Sequence, residues 1–399
     1  MAKKKILLLG GSAQQIVAIE TARRLGYSTV LCDYLPDNPG QYYADKFYQV
    51  STTDKAAILE IAREEQIHGI VAYASDPAAP TAAFVAEQLG LPGNPAESVD
   101  ILCNKDRFRR FLRENGFSAP RSEGYTESAT ALADKNSYRL PVIVKPVDSS
   151  GSKGVTVLRR WEDLSQALEF AFSFSRSGRV IMEEFVEKAH PYLVGGDIFV
   201  IDGRVRLWGL MNCHRDVRVN DLVPVGKSYP LLLDPHAEMA VQETLQRMVD
   251  ALGIRCGAMN VELVVDAQGN VWPIDVGPRN GGNMIPELLG YIFNVDIVEM
   301  TVQAAMGQPI ELGDVRPRGC YATHNLHSHR SGTFAGIQIS PKLEPFVLRR
   351  SIYKKTGDAV EFFDNAAKAL GILFMNFPDR ETMMRLLSEV NDHVTVELQ

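Results

Sequence analysis

Two carboxylates, an arginine and several side-chain amides crowd into two adjoining stretches of this 399-residue chain, Asn260-Val261-Glu262 and Ile274-Asp275-Val276-Gly277-Pro278-Arg279-Asn280-Gly281-Gly282-Asn283. Residues 258–265 alternate and then run apolar, Asp266-Ala267-Gln268-Gly269-Asn270 offers turn chemistry, and Val271 to Ile274 resume an extended pattern. The stretch therefore predicts a hairpin. In it Glu262 and Asp275 face each other across the ladder, where two carboxylates repel unless a cation lies between them. Oxygen-only ligands suit Mg2+, which completes its shell with water and substrate phosphates. The pattern points to a magnesium nucleotide, against the bland alternative of a solvated acidic pair. Arg279 follows in a Gly/Pro-rich segment, so its loop aims it, and a guanidinium there suits a phosphoryl or carboxylate oxygen that gains charge.

The rest of the chain has to position these groups. Hydrophobic residues make up 45% and charged residues 23%, the balance of an ordinary globular enzyme of roughly two to three domains. The net charge is −7 and the one basic block, Lys3-Lys4-Lys5, abuts the first strand, so nucleic acid is not an expected partner. Five scattered cysteines form no C-x-x-C pair, which argues for a reducing compartment without disulfides or a zinc site. With no signal-like core and no apolar run of membrane length, the expected location is cytoplasmic and off the membrane.

Residues 5 to about 100 alternate short apolar strands with helical patterns at 13–25, 54–65 and 79–89, a βαβ series with a parallel sheet. Gly10-Gly11-Ser12-Ala13-Gln14-Gln15 stands where a dinucleotide fingerprint would lie, but positions 12 and 15 are not glycine, which disfavours NAD. The amides of Gly11 and Ser12 then either hold an anionic part of a substrate or make a tight turn. Residues 98–115 read as one helix carrying Lys105. Pro141 to Pro146 reads as a buried strand, and Asp148 to Gly154 is a loop of small residues whose N–H groups can close over phosphates. Gly226-Lys227-Ser228 imitates part of a phosphate-loop motif, yet Asp221 stands at the required glycine, so that match is chance. A strand over 179–186, a hairpin over 197–205 and a helix over 236–252 lead back to the Glu262 pair. Beyond Pro317 short strands and a final helix over 379–391 follow. His324, His327 and His329 lie there in one stretch, without a carboxylate or cysteine in ligand spacing, which leaves a metal reading weak.

Taken in order, Lys105, Lys145-Pro146, the loop 149–154, Glu183 to Val186, Asn260-Val261-Glu262 and Asp275-x-Gly277-Pro278-Arg279-x-Gly281-Gly282 resemble the ATP-grasp superfamily over essentially the whole chain. The resemblance implies a mixed α/β and α+β fold. Its parts would be a Rossmann-like domain over 1–97, an ATP-grasp domain over 98–315 with a lid at about 120–188, and a small C-terminal α+β domain over 316–399. It implies that Lys105 and Lys145 contact ATP phosphates, and that Ser150, Gly151, Ser152, Lys153 and Gly154 form a mobile lid loop. Glu183, Glu184, Phe185 and Val186 would line the adenine pocket, Glu262 and Asp275 would hold Mg2+, and Arg279 would stabilise an acyl phosphate. His214, beside Arg215, is either a substrate or phosphate contact or a satisfied histidine on a strand. The chain departs from the family twice. No glutamate lies in 188–193 for the ribose, which leaves Glu187 or Asp197, and Gly277 stands where a metal-binding asparagine is usual, which leaves Asn280 or Asn283. The implied activity is an ADP-forming ligase that joins a small-molecule carboxylate to an amine. A bicarbonate-activating enzyme and a non-catalytic ATP sensor are the alternatives, and a homodimer is the assembly to test for.

Overall fold

The computed structural model describes residues 3–149 and 151–399. Ile6, Leu7, Leu8 and Leu9 are all buried, as a strand covered on both faces requires. They belong to β1 (Lys5–Leu9), which pairs in parallel with β2 (Ser28–Asp33) and β4 (Gly69–Val71), while β3 (Lys46–Gln49) closes the sheet in the order β3-β2-β1-β4. Helices α1 (Ile16–Arg24), α2 (Lys55–Glu65) and α3 (Ala79–Leu89) match the expected periodic segments. The strand order reverses at β1, and ligand crevices form at such switch points, outside the carboxyl ends of the strands. The turn after β1 is closed on itself, however. The Gly11 amide donates to the Asp33 carboxylate at 2.7 Å and the Ser12 amide to the Gln15 side chain at 2.9 Å. Of the two sequence readings, the tight turn holds.

The single helix expected over 98–115 is two, α4 (Ala96–Cys103) and α5 (Lys105–Glu114). Asn104 between them is extended, and its side chain accepts the Arg107 amide at 3.1 Å. An N-cap of this kind satisfies one of the free amides at a helix start. It sets Lys105 at the first position of α5 rather than in mid-helix.

A four-stranded antiparallel sheet follows, β5 (Ser122–Tyr125), β6 (Val142–Pro146), β7 (Thr156–Leu158) and β8 (Val180–Glu184), in the order β5-β8-β6-β7. Helices α6 (Ser128–Asp134) and α7 (Leu164–Phe174) cover it, with Leu164 and Leu168 packed among Val142, Val144 and Met182.

The largest sheet has eight strands. It begins with β9 (Leu193–Ile201), β10 (Arg204–Asp216), β11 (Asn220–Tyr229), β12 (Gly257–Val265) and β13 (Val271–Gly277). Helix α8 (Pro235–Leu252) lays Val241, Leu245, Met248, Val249 and Leu252 on one face of it. Each such side chain contributes about 1.5–3 kcal/mol on full burial. On the other face α9 (Ile285–Phe293) packs through Leu288, Leu289 and Ile292, and α10 (Ile297–Ala305) through Ile297 and Met300, in one cluster with Phe199, Leu207 and Met211.

The C-terminal segment contributes β14 (Cys320–Leu326), β15 (Gly332–Ile339), β16 (Val347–Ile352), β17 (Ala359–Val360), β18 (Gly371–Phe377), α11 (Arg380–Ser388), α12 (Val390–His393) and β19 (Val394–Leu398). It is α+β as expected, but its strands are shared. β14 pairs with β11, so that the large sheet runs β13-β12-β9-β10-β11-β14-β18-β16, and β17-β15-β19 form a separate three-stranded sheet. Among the described residues no helix is long and apolar enough to cross a membrane.

Candidate active site

The hairpin forms as its sequence requires. Asp266 accepts the amides of Gln268 and Asn270, each at 2.9 Å, and the Trp272 indole N–H at 2.8 Å, which fixes the turn between β12 and β13. That turn sets the register, and Glu262 and Asp275 are direct cross-strand partners. Asp275 is exposed. The Glu262 side chain is 22% exposed and accepts Arg215 Nη2 at 2.9 Å, with Lys227 Nζ at 3.8 Å. Burial alone would raise its pKa, but Arg215 and Lys227 outweigh burial and hold it below the usual value. Glu262 is therefore an anion ready to meet a cation.

Arg279 lies beside the pair. Its guanidinium binds Asp76, from the loop after β4, and donates to the Asn280 carbonyl at 2.9 Å. The loop carrying it is held by Asp197, which accepts the Gly281 amide at 2.8 Å and Asn260 Nδ2 at 2.9 Å. Asp197 is 1% exposed and burial pushes its pKa up to about 6. It anchors the arginine loop, so the ribose role expected of it is corrected, and Glu187, which is exposed, is the remaining candidate. Asn280 is also buried and its Nδ2 donates to Thr301 Oγ1 at 3.0 Å, which ties its side chain to α10. Gly277 has a spatial cause. A Cβ there would stand 2.7 Å from Asp76 Oδ1 and 3.1 Å from Arg279 Cζ, in the space that this ion pair fills.

A second group of charges sits at the four-stranded sheet of β5 to β8. Glu183, on β8, binds Arg109 Nε at 2.9 Å and the Lys145 ammonium, and all three are buried. Arg109 also donates to the Ile274 carbonyl at 2.7 Å, which ties this sheet to the hairpin. Burial opposes ionisation of Glu183, yet Arg109 and Lys145 hold its pKa well below the carboxylate range. Burial drives the Lys145 ammonium pKa down, and neighbouring Arg109 adds to that. Glu183 thus orients Lys145, while the Glu184 side chain accepts the Arg139 amide at 3.0 Å, and Phe185 and Val186 are half-buried just beyond the strand. Lys105 donates to the Ser149 carbonyl at 2.6 Å. Of the lid loop, Ser150 lies outside the described residues. Gly151, Ser152 and Gly154 all have positive φ, Ser152 Oγ donates to the Leu222 carbonyl at 3.0 Å, and Lys153 is exposed. Successive turns of this kind face backbone N–H groups toward an anion.

His214 takes the bland reading. Its Nε2 lies 2.8 Å from Ser228 Oγ, its ring lies 4.7 Å from that of Tyr192, and burial, with Lys227 and Arg215, pushes its pKa down to about 4. It is a neutral, satisfied histidine, and Arg215 and Lys227 are the cations that reach Glu262. Reading the sequence alone missed Lys227, Arg109 and Asp76. Lys227 was set aside with a false motif, although it is a lysine on a strand of alternating polarity. Arg109 stands four residues after Lys105, one helical turn away on the same face. Asp76 carried no signal, because only the tertiary fold brings it to Arg279.

The residues fit a magnesium nucleotide. Among the described residues Arg215 Nη1 and Arg279 Nε are buried donors without a partner, and leaving such a group unpaired costs about 1–3 kcal/mol. A cavity of about 270 Å³ opens beside Asp76, the partner of Arg279, and is lined also by Asn104, Lys105, Asp148, Ser149 and Asp275.

Residues 104–312, just over half the chain, match the family described as the carbamoyl-phosphate synthase L chain ATP-binding domain, and residues 19–93 match the ATP-grasp N-terminal domain. A formate-dependent phosphoribosylglycinamide formyltransferase of Paraburkholderia xenovorans is 28% identical, over 91% of this chain and 93% of that protein. The fold is shared with an L-amino acid ligase from Bacillus licheniformis, with TM-score 0.83 and 21% identity over all of both chains. It is also shared with a phosphoribosylglycinamide synthetase from Anaerococcus prevotii, with TM-score 0.77 and 18% identity over all of both chains. The chain belongs to the ATP-grasp superfamily of carboxylate–amine ligases.

Proposed function

We propose that this chain activates a small-molecule carboxylate with MgATP and passes the acyl group to an amine. The observation that carries the reading is the pair of buried guanidinium N–H groups of Arg215 and Arg279, unpartnered among the described residues, flanking the Glu262–Asp275 couple. Lys105, Lys145 and the amides of the loop 151–154 hold phosphates, and Phe185 and Val186 cover the base. Magnesium, held by Glu262 and Asp275, supplies positive charge at the phosphate oxygens. The chain itself aligns the reactants and offsets charge, which is most of what phosphoryl transfer needs. A carboxylate oxygen bonds to the γ-phosphorus as ADP leaves. The amine lone pair then bonds to the acyl carbon, phosphate leaves and a proton is released. Arg279, with one N–H in reserve, is placed for the charge that develops on the acyl phosphate. The formate dependence named in the formyltransferase relative agrees with a carboxylate as phosphoryl acceptor. Five free cysteines agree with a reducing, cytoplasmic setting.

The test is release of ADP and phosphate over pairs of carboxylates and amines, with product mass as the second readout. Release that needs both partners supports the ligase. Release with bicarbonate alone favours the carboxylating alternative, and tight ATP binding with no substrate-dependent release in any pool overturns turnover altogether.

A further inference from the structure

Away from the hairpin couple, two distant stretches of chain bring three ligand-type atoms together. Asp216, at the end of β10, has His327 Nε2 and His329 Nε2 against the same oxygen, Oδ2, each at 3.1 Å. The three side chains offer atoms within 4.8 Å of one another. Asp216 and His327 are buried, whereas the His329 side chain is 41% exposed. His327 Nδ1 lies 2.7 Å from the Asn325 carbonyl oxygen, a distance that its N–H keeps as donor. In the neutral ring the lone pair is then on Nε2, aimed at a carboxylate oxygen. At His327 two electron-rich atoms face each other at 3.1 Å, and His329 Nε2 lies at the same distance from that oxygen.

Ligands on a tetrahedral ion with bonds of about 2.0–2.1 Å stand roughly 3.3 Å apart, close to the two separations here. A ring whose second nitrogen donates to a backbone carbonyl is also how metal-ligating histidines are oriented. Arg218 holds Oδ1 of Asp216 through its backbone N–H at 2.9 Å and Nε at 3.2 Å, while Asn391 Nδ2 donates to Oδ2 at 2.8 Å and Arg218 Nη2 reaches Oδ2 at 3.4 Å. An ion at Oδ2 takes the place of that longer Arg218 contact.

The geometry points to a transition-metal site of the zinc class, built from Asp216, His327 and His329 and open to water beside His329. Its nitrogen ligands separate it from the oxygen-only magnesium couple. The ion joins β10 to residues 111 and 113 positions later in the chain. It also braces the floor of the lid loop. The Leu222 carbonyl on β11 accepts Ser152, and Phe363, whose ring lies 4.8 Å from that of His327, leads to Ala366, whose amide reaches the Gly151 carbonyl.

The test titrates chelator-treated full-length protein with Zn2+ alone, by calorimetry. The expected result is one equivalent bound by the wild type and by Glu262→Gln, which disables the magnesium couple. His329→Ala, at a half-exposed position, keeps its circular dichroism spectrum and binds at least about 10–100-fold more weakly, the loss that even outer-shell changes cause. Asp216→Asn is the second variant, and the Zn2+-induced rise in melting temperature disappears with either. Co2+ absorption of the unsubstituted protein, free of a sulfur charge-transfer band, reports nitrogen and oxygen ligation without any variant. Absence of stoichiometric binding, sulfur ligation, or affinity unchanged in both variants overturns the site.

Discussion

The β5–β8 side and the large-sheet side of the nucleotide site use the same residue types and finish in different states. On the side of the β5–β8 sheet Glu183 pairs with both Arg109 and Lys145, and Arg109 also bonds to the hairpin backbone. On the large-sheet side Arg215 and Arg279 each keep a buried N–H without a partner among the described residues, although Glu262 and Asp76 balance their charge. The first arrangement is paired before ligand arrives and holds Lys145 in place for a phosphate. The second is short of acceptors, and a reacting anion supplies them.

If that contrast is right, losses on the two sides differ in kind. Glu183→Ala has the largest expected effect, because it leaves two buried cations uncompensated, and urea unfolding should show a loss of about 3–5 kcal/mol. A loss below about 1 kcal/mol would mean that the trio is not a buried unit. Arg279→Ala should lower kcat by about 10²–10³ while the ATP Kd stays within about threefold, as befits a group acting on charge that develops during reaction. Equal loss of ATP affinity and turnover would move Arg279 to the ground-state side. Lys145→Ala should weaken ATP binding by roughly 10–100-fold, the scale of a charged hydrogen bond, and unchanged affinity would remove Lys145 from the phosphates.

The smallest effect extends the contrast to an anion. Both oxygens of Glu287, on α9, are buried without a side-chain hydrogen-bond partner among the described residues, and burial raises its pKa to about 7. Because the folded value lies above the unfolded one, its stability contribution is complete below the unfolded pKa and is lost as pH rises through about 7. Glu287→Gln does not titrate. Its melting temperature should therefore gain on the wild type between pH 6 and pH 8, by on the order of a few degrees. A constant gap across that range would show that Glu287 finds a partner.

What could be read from the chain follows the range of the forces involved. The Glu262–Asp275 register was legible because Asp266 to Asn270 fix a short turn, and a turn fixes everything opposite it. The break at Asn104 was hidden, since apolar spacing runs on from Val99 and Leu102 to Phe108 and Leu112 across the cap. Burial misled at Asp197, where an acidic side chain on a strand looks the same in sequence whether it faces a ligand or a loop amide. Asp76 and Arg279 are 203 positions apart and meet only because two sheets dock. The joining of β14 to β11 and the convergence of Asp216 on His327 and His329 are long-range in the same sense. No local pattern announces them.

The central claim is that Glu262 and Asp275 hold the magnesium of MgATP, and calorimetry of ATP binding with and without Mg2+ tests it most directly. The account predicts that Mg2+ strengthens ATP binding in the wild type and adds nothing in Glu262→Gln or Asp275→Asn, while metal-free ATP binding through Lys105 and Lys145 persists. An undiminished Mg2+ increment in both variants would contradict it.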